Sequence, residues 1–337
     1  MKRLLLLLAM TLTITSLIGQ EKPIGIVIHG GAGYMNQANL SEAEIEAYEK
    51  KLNDALSIGY TILLEGGTSE EAIVAAIKTL EDSPLFNAGK GSVLCNEEIA
   101  EMDASIMLGK TLNAGAVAGV QLTKNPITAA QIVMTKSPHV ILSGKGADEF
   151  AKKSGLAMEK PAYFITEQNL ERIKLLKSED KSEVEPTLPI DKRKNGINDL
   201  KFGTVGAVAL DQNGDLAAGT SSGGMANKKN NRIGDSPIIG AGTYANNQSC
   251  AVSCTGHGEY FIRLAVAHEV SALMIHRRWD LDKAASYVIH QELENLGGKG
   301  GLIAMDRQGN VSMPFNTSSM FRAVKTNQGL SEVSIFK

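Results

Sequence analysis

The chain has 337 residues, of which 43% are hydrophobic and 21% are charged, and its formal net charge is −3. A chain of this length and composition can bury a sizeable core, in one large domain or in two ordinary ones. No basic stripe runs along it, so we set aside the nucleic-acid-binding proteins as a class.

The N-terminus has the pattern of a secretory signal peptide. Residues 1–3 are Met-Lys-Arg, residues 4–18 are apolar except for Thr and Ser, and Gly19 and Gln20 offer a small-residue cleavage point. The apolar run is short for a membrane span, although a retained membrane anchor is the alternative. We therefore predict a signal peptide over residues 1–19 and an exported mature protein, periplasmic or secreted, without a membrane segment.

The first half of the mature chain alternates buried strands with capped helices. Ser41 with Glu44 and Thr68 with Glu71 are capping boxes, which predict helices running to about residue 65 and over 72–80. Residues 81–91 (EDSPLFNAGKG) predict a loop, because Pro and Gly interrupt them. The other predicted elements are strands at 24–28, 103–108, 115–122 and 138–142 and a helix opening at 125–126.

A change of composition separates the two halves. Residues 161–201 are rich in Lys, Glu, Asp and Ser, which predicts an exposed, flexible linker. The elements predicted after it are strands at 204–210, 216–221, 239–244 and 249–255, helices near 259–277 and 281–296, and two strands around the turn at 306–310. Neither half covers its sheet alone, so we predict one α+β domain over 20–337, with sheets inside and helices outside.

The cysteines and histidines carry no familiar site pattern. Cys95, Cys250 and Cys254 match neither a disulfide framework nor a zinc motif, and we interpret them as small buried hydrophobes. GGAG at 30–33 lacks the GxGxxG of a nucleotide loop, and the nucleophile elbow GxSxG is absent from the sequence. His29, His139 and His257 are candidates for a base, but a lone histidine is more often structural.

Gly203 and Thr204 open the first strand after the linker. A threonine at a chain N-terminus carries its own base, an α-amino group with a pKa of about 7.7–8.0. Cleavage of the bond between residues 203 and 204 would therefore turn Thr204 into an activated nucleophile. From this dipeptide alone, an ordinary strand start is the better interpretation.

Longer motifs favour the nucleophile. HGGAG, PLFNAGKG, GTVGAVALD, TSSGGM, NRIGDSPIIGAGTYAN, SCTGHGE and GGLIAMDRQGNV occur in this order. Together they closely resemble the isoaspartyl peptidase / plant-type L-asparaginase family of N-terminal-nucleophile hydrolases, over nearly the whole mature chain. The resemblance implies a four-layer αββα sandwich that cleaves itself into chains 20–203 and 204–337, which pair as a dimer of α–β heterodimers.

The resemblance also implies roles for individual residues. Thr204 is the nucleophile of both reactions, and Ser222, where relatives usually have Thr, forms a hydrogen bond with it. Arg232 binds the substrate α-carboxylate and Asp235 its α-ammonium. The other implied roles are an oxyanion hole from Thr255 and Gly256 and substrate contacts from Gly258 and Asn87.

A structural sodium ion is a further implication, whereas no catalytic metal or redox cofactor is expected. The loop carbonyls implied as its ligands are those of Leu80, Glu81, Ser83, Phe86, Ala88 and Lys90.

The implied reaction releases L-aspartate from β-aspartyl dipeptides and L-asparagine. Two alternatives remain open. A glycosylasparaginase-like amidase shares the DSPIIGAG and TGHGE stretches, although HGGAG and LFNAG favour the isoaspartyl branch. A non-catalytic secreted aspartate-binding protein would keep Arg232 and Asp235 but would remain one uncut chain.

Overall fold

A computed structural model describes residues 22–33, 40–179 and 203–337 of the chain. The predicted signal peptide lies outside the described residues. None of the helices in the described ranges combines the length and apolarity of a membrane-spanning segment.

Capped helices and buried strands make up the first half, largely as predicted. Both capping boxes form: the Ser41 and Thr68 side chains accept from the backbone N–H groups of Glu44 and Glu71. The elements are β1 (Gly25–Gly33), α1 (Glu42–Leu64), α2 (Ser69–Glu81), β2 (Met102–Leu108), β3 (Ala114–Val120), α3 (Pro126–Lys136), β4 (Ile141–Ser143), α4 (Gly144–Lys153) and α5 (Glu167–Glu179).

The linker prediction was wrong for residues 161–179. Pro161–Phe164 is a 3₁₀ turn and α5 follows it, with Phe164 and Ile173 buried. Asn169 Nδ2 also donates to the carbonyls of Gly91 and Ser92, at 3.0 and 2.9 Å. The charge content of this segment suggested a linker. A few apolar residues at helical spacing nevertheless pack against the core, and the Asn169 amide adds two hydrogen bonds, so the segment is ordered. Residues 180–201 of the predicted linker lie outside the described residues.

The second half departs from prediction in three places. The predicted helix at 259–277 is two helices, because Ala265 adopts a left-handed conformation (φ +49°). Where a strand was predicted at 239–244, the structure has a strand of only three residues, 243–245. The two C-terminal strands, at 319–326 and 331–336, were not predicted. The elements are β5 (Val205–Leu210), β6 (Leu216–Ser222), β7 (Thr243–Ala245), β8 (Cys250–Gly256), α6 (Gly258–Leu264), α7 (Val266–Arg277), α8 (Leu281–Tyr287), a π-helical turn (Val288–Leu293), β9 (Gly300–Asp306), β10 (Val311–Ser312), β11 (Ser319–Thr326) and β12 (Ser331–Phe336).

The strands of the described residues form two sheets in this mixed α/β structure. One has eight strands in the order β12-β11-β1-β5-β6-β2-β3-β4, and the other has four in the order β10-β9-β8-β7. Neighbouring strands run antiparallel except for the parallel pair β3 and β4. β5 therefore lies in the middle of the larger sheet, and all six of its residues are buried.

Three hydrophobic clusters cover the sheets. The first joins the larger sheet to residues of α1–α5, among them Leu52 and Ile77. The second joins residues of both sheets, such as Val208 and Ile303. The third joins the smaller sheet to α6–α8 through residues that include Phe261. The cysteines Cys95, Cys250 and Cys254 are free and buried, as predicted.

Candidate active site

The β5–β6 hairpin brings the predicted nucleophile beside its predicted partner. The turn closes with Gly214 N donating to the Asp211 carbonyl at 2.8 Å, and the register pairs Val205 with Ser221. Thr204 and Ser222 therefore face each other at the open end, with 2.9 Å between Oγ1 and Oγ. Gly224 N donates to Ser222 Oγ at 2.9 Å, which fixes that hydroxyl against Thr204.

Thr204 lines a cavity at this end of β5. Its free volume is about 20 Å³, little more than one water molecule occupies. The predicted site residues that line it are Asn87, Gly203, Thr204, Ser222, Arg232, Asp235 and Gly256. Gly258 and Thr255 lie directly behind it, next to Arg232 and Gly256 respectively.

The Arg232 guanidinium is held along one edge by Glu259, and two glycines lie close to its terminal nitrogens. Nε and Nη2 donate to the two carboxylate oxygens of Glu259, at 2.8 and 2.9 Å. A Cβ atom at Gly234 would lie 2.8 Å from Nη1, and one at Gly258 would lie 2.8 Å from Nη2. Burial acts to raise the pKa of Glu259, but the hydrogen bonds and charge of Arg232 outweigh it and lower that pKa. The ion pair of Arg232 is thus with Glu259, not with the nearby Asp235.

Two buried carboxylates face the cavity. Asp235 is 5% exposed, and no described residue forms a hydrogen bond with its Oδ2. Burial raises the pKa of Asp235 to about 7, although Arg232 opposes this shift. Asp103 pairs with Ser222 across β2 and β6; its Oδ1 accepts from Gly119 N at 2.8 Å, and its Oδ2 likewise lacks a hydrogen bond from the described residues. Buried carboxylate oxygens without a hydrogen-bond donor are unfavourable. A cationic group bound in the cavity could donate hydrogen bonds to both of them.

Asp103 was not among the residues predicted for the site. The signal was present, because a lone carboxylate in the buried strand MDASIML is rarely placed there without a partner. Burial raises the pKa of Asp103 while the Lys228 ammonium opposes that shift. Lys228 is itself buried and donates to the Glu101 carbonyl at 2.8 Å.

Thr255 and Gly256 end β8, in the smaller sheet. The Thr255 Oγ1 accepts from Ala32 N at 3.1 Å, which leaves the hydroxyl proton for another acceptor. A Cβ atom at Gly256 would overlap the Lys299 carbonyl, so only glycine allows β8 and β9 to approach this closely. Gly256 consequently presents backbone, not a side chain, to the cavity.

The HGGAG segment at the end of β1 contacts the site at two points that the sequence motifs did not predict. Besides the bond from Ala32, His29 Nδ1 lies 3.0 Å from the Thr204 carbonyl oxygen and Nε2 lies 2.9 Å from Ser253 Oγ. Burial lowers the pKa of His29 to about 3, although its hydrogen bond to the Thr204 carbonyl acts in the opposite direction. His29 is therefore neutral. His139, another predicted base candidate, is exposed on the surface.

Asn87 connects the 81–91 loop to the candidate cleavage site. Its Nδ2 donates to the Gly224 carbonyl at 2.8 Å, and its Oδ1 accepts from Val93 N at 2.9 Å. A Cβ atom at Gly203 would lie 3.2 Å from Asn87 Cβ and 3.3 Å from its backbone nitrogen. Gly203 therefore packs with its backbone against this loop.

Two of the carbonyls expected to bind sodium lie close to glycines of the same loop. A Cβ atom at Gly89 would overlap the Glu81 carbonyl oxygen, and one at Gly91 would overlap that of Phe86. The Phe86 and Ala88 carbonyls each accept one backbone N–H, so each keeps a second lone pair. Neutral oxygen donors of this kind suit a hard monovalent cation, and the residues present fit the expected ion.

Comparison with known proteins gives the relationships of the chain. The sequence profile of the asparaginase family matches residues 21–335. The isoaspartyl peptidase of Escherichia coli (strain K12) is 45% identical over 299 residues, which cover 88% of this chain and 91% of that protein. The probable isoaspartyl peptidase/L-asparaginase 2 of Arabidopsis thaliana is 40% identical over 325 residues, covering 93% and 98%. The isoaspartyl peptidase/L-asparaginase of Homo sapiens is 40% identical over 298 residues, covering 88% and 91%.

Proposed function

Since the chain belongs to the asparaginase family, we propose that it is a self-cleaving threonine hydrolase that releases L-aspartate from β-aspartyl dipeptides and L-asparagine. The observation that carries the proposal is the position of Thr204. Its hydroxyl lies 2.9 Å from Ser222 Oγ, in a cavity that also contains a guanidinium and two carboxylates, each with one oxygen that accepts no hydrogen bond from the described residues. This combination suits the α-amino acid end of aspartyl substrates.

Self-cleavage comes first. The Thr204 hydroxyl attacks the Gly203 carbonyl carbon, the peptide C–N bond breaks, and the proton moves to the departing nitrogen. Water then hydrolyses the resulting ester to a Gly203 carboxylate and a free Thr204 hydroxyl. The products are chains 20–203 and 204–337, and the second begins with an α-amino group that has no equivalent in the precursor.

Hydrolysis uses the same hydroxyl with this new base. Arg232 binds the substrate α-carboxylate through the guanidinium nitrogens that Glu259 leaves available. Asp235 binds the α-ammonium, and Asp103 supplies a second acceptor. The Thr204 amino group takes the proton of its own hydroxyl as the oxygen attacks the side-chain amide carbonyl. Ser222 keeps that hydroxyl in place by its hydrogen bond.

The Thr255 hydroxyl and the Gly256 N–H stabilise the oxyanion that forms. The accepting contact of Thr255 Oγ1 with Ala32 N supports this role, because it turns the hydroxyl proton to other acceptors. Ammonia or the distal amino acid leaves with the proton taken from Thr204, and water releases L-aspartate from the acyl-enzyme. Gly258 and Asn87 border the bound substrate.

The remaining features of the proposal concern architecture and assembly. The three hydrophobic clusters support the order helices, sheet, sheet, helices, which is the four-layer αββα sandwich of N-terminal-nucleophile hydrolases. A sodium ion held by the loop carbonyls would fix the backbone that carries Asn87. We also propose export to the periplasm or medium, and a dimer of α–β heterodimers.

Intact mass spectrometry of the denatured protein, after several days at neutral pH, tests the proposal. Two chains are expected, the smaller beginning at Thr204, and Thr204→Ala should remain one chain without activity. A single uncut wild-type chain would contradict self-cleavage and favour the aspartate-binding alternative. Hydrolysis of β-Asp-Leu but not of a glycosyl-asparagine would separate the proposed enzyme from a glycosylasparaginase.

A further inference from the structure

A fully buried histidine ties two sheets to the candidate nucleophile. His29 lies on β1, Thr204 precedes β5 in the same sheet, and Ser253 lies on β8 of the other sheet. The imidazole connects them, with Nδ1 3.0 Å from the Thr204 carbonyl oxygen and Nε2 2.9 Å from Ser253 Oγ. The proposed mechanism gives this histidine no task.

Donor and acceptor chemistry fixes which ring nitrogen carries the proton. A carbonyl oxygen only accepts, so Nδ1 must donate to Thr204, and neutral Nε2 must accept from the Ser253 hydroxyl. Ser253 has then used its single proton, so in its 2.7 Å contact with the Thr220 hydroxyl the Ser253 oxygen accepts. Thr220 also donates to the Gly242 carbonyl, at 3.1 Å, and accepts from Thr243. The tautomer of His29 is thus set by its two direct partners, the Thr204 carbonyl and the Ser253 hydroxyl.

The strand between the two partners leaves room for this connection. Gly206 lies on β5 opposite His29, and a Cβ atom there would overlap both Ser253 Oγ and His29 Nε2. The absence of a side chain at Gly206 therefore lets the hydrogen bond pass from one sheet to the other. A glycine inside a central strand has a destabilising cost, and close approach of other groups is the usual reason for it.

Self-cleavage creates a need for such an anchor. It turns Thr204 into a chain terminus, and termini fray unless they are tied down. The backbone ladder of β5 begins only at Val205, so it does not hold Thr204. The Ser222 contact restrains the side chain alone, and rotation about the Cα–Cβ bond would still let the amino group and hydroxyl drift apart.

We propose that His29 is a positioning residue for the N-terminal nucleophile: its Nδ1–H holds the Thr204 carbonyl, in a tautomer set by that carbonyl and by Ser253. Fixing that carbonyl fixes the Thr204 Cα, and hence the direction of both the hydroxyl and the new amino group. The inference rests on the proposed function, since it assigns a task within that reaction.

Two substitutions of His29 by residues of similar polarity distinguish a role in positioning Thr204 from a merely structural role. His29→Asn keeps an N–H donor at the δ position, toward Thr204, and loses the contact with Ser253. His29→Gln keeps a polar group at the ε position, toward Ser253, and loses the donor to Thr204. Each variant removes one of the two hydrogen bonds of the imidazole, so a merely structural histidine predicts similar losses of activity in both.

Self-cleavage rate, kcat and KM for β-Asp-Leu are measured beside the melting temperature. We expect His29→Asn to stay within about tenfold of the wild-type kcat and His29→Gln to lose about 100-fold, as a displaced catalytic group does. KM should stay unchanged in both, because Arg232 and Asp235 are untouched. Equal losses in the two variants, or a loss confined to KM, would overturn the inference.

Nitrogen NMR of ¹⁵N-histidine-labelled wild-type protein supplies a readout that needs no activity. A neutral His29 ring protonated at Nδ1 throughout pH 5–8 is expected. A ring protonated at Nε2 would overturn the inference even if the variants fail to fold. A wild-type chain that neither cleaves itself nor hydrolyses β-Asp-Leu would instead contradict the proposed function, whatever the tautomer.

Discussion

Gly258→Ala should impair substrate hydrolysis while leaving self-cleavage intact. The added Cβ would lie 2.8 Å from Arg232 Nη2 and 2.9 Å from both the backbone nitrogen and Oδ1 of Asp235. The methyl group therefore meets the two groups that we propose bind the substrate. Its three nearest atoms include none of Gly203, Thr204 or Ser222, the residues of the proposed self-cleavage step.

The size of the loss in kcat/KM depends on which neighbours of the added methyl group can move. The Asp235 nitrogen is backbone and cannot yield, and the Arg232 guanidinium is held by both oxygens of Glu259. Overpacking of this kind costs about 1–3 kcal/mol. If the strain is relieved by displacing the guanidinium from the substrate carboxylate, kcat/KM falls by roughly 5- to 150-fold, since about 1.4 kcal/mol is a factor of ten. The loss should lie in KM, because the α-carboxylate is bound equally in the ground state and the transition state.

The assay compares the variant with Gly146→Ala. Gly146 lies in α4, and a Cβ atom there would meet nothing within 4 Å. That control should keep wild-type kinetics and gain about 0.5–1 kcal/mol of stability, as expected for alanine in place of glycine within a helix. Wild-type kcat/KM in a fully cleaved Gly258→Ala protein would refute the proposed placement of the substrate beside Arg232 and Asp235.

Three further predictions concern Asp235, Asp103 and the loop at residues 80–90. Burial raises the pKa of Asp235 from 3.8 to about 7; the folded chain therefore keeps a proton that the unfolded chain releases, and stability falls as pH rises from about 4 to 7. Asp235→Asn removes this pH dependence, so the difference in melting temperature between the variant and the wild type should increase in favour of the variant as pH rises across this range. Its kcat/KM for asparagine should fall steeply, because the proposed partner of the α-ammonium is lost. Asp103→Asn should raise KM for asparagine by about tenfold, a typical value for a lost charged hydrogen bond, and should leave KM for succinamic acid, which has no α-ammonium, unchanged; equal changes for both substrates would count against an ammonium contact. Exchange of NaCl for choline chloride at equal ionic strength should lower the melting temperature if the 80–90 loop holds sodium, and an unchanged melting temperature would argue that it does not.

Local sequence signals predicted the elements whose stabilising contacts are local. The capping boxes at Ser41 and Thr68 involve residues three apart, and the β5–β6 hairpin closes over a five-residue turn. The break at Ala265 has no such signal, because alanine has no intrinsic preference for left-handed backbone. β11 was missed for a different reason, since its main partner, β1, lies almost 300 residues earlier in the chain.

The candidate site shows the same division. Thr204 was predicted as the candidate nucleophile, because an N-terminal threonine carries its own base and the surrounding motifs point to that chemistry. His29, Asp103 and Glu259 were not, because each acquires its role from a residue distant in sequence. His29 lies 175 positions from Thr204, and Glu259 lies 27 positions from Arg232. Single-residue patterns cannot reveal such pairs, although a carboxylate or histidine inside a buried strand indicates that a partner exists.

The uncut junction and the proposed substrate-binding groups share one small cavity, and this imposes an order on the proposed chemistry. Gly203 lines the same space as Arg232 and Asp235, and the free volume there is about 20 Å³. On the proposed mechanism, the Gly203 carbonyl occupies the place that the substrate amide later takes, so the precursor inhibits itself. Cleavage supplies the base and frees the Gly203 end to move away. On this mechanism the base appears only when the junction is cut, and the Gly203 carbonyl leaves the place of the substrate amide only then, so a single event meets both requirements of the hydrolase.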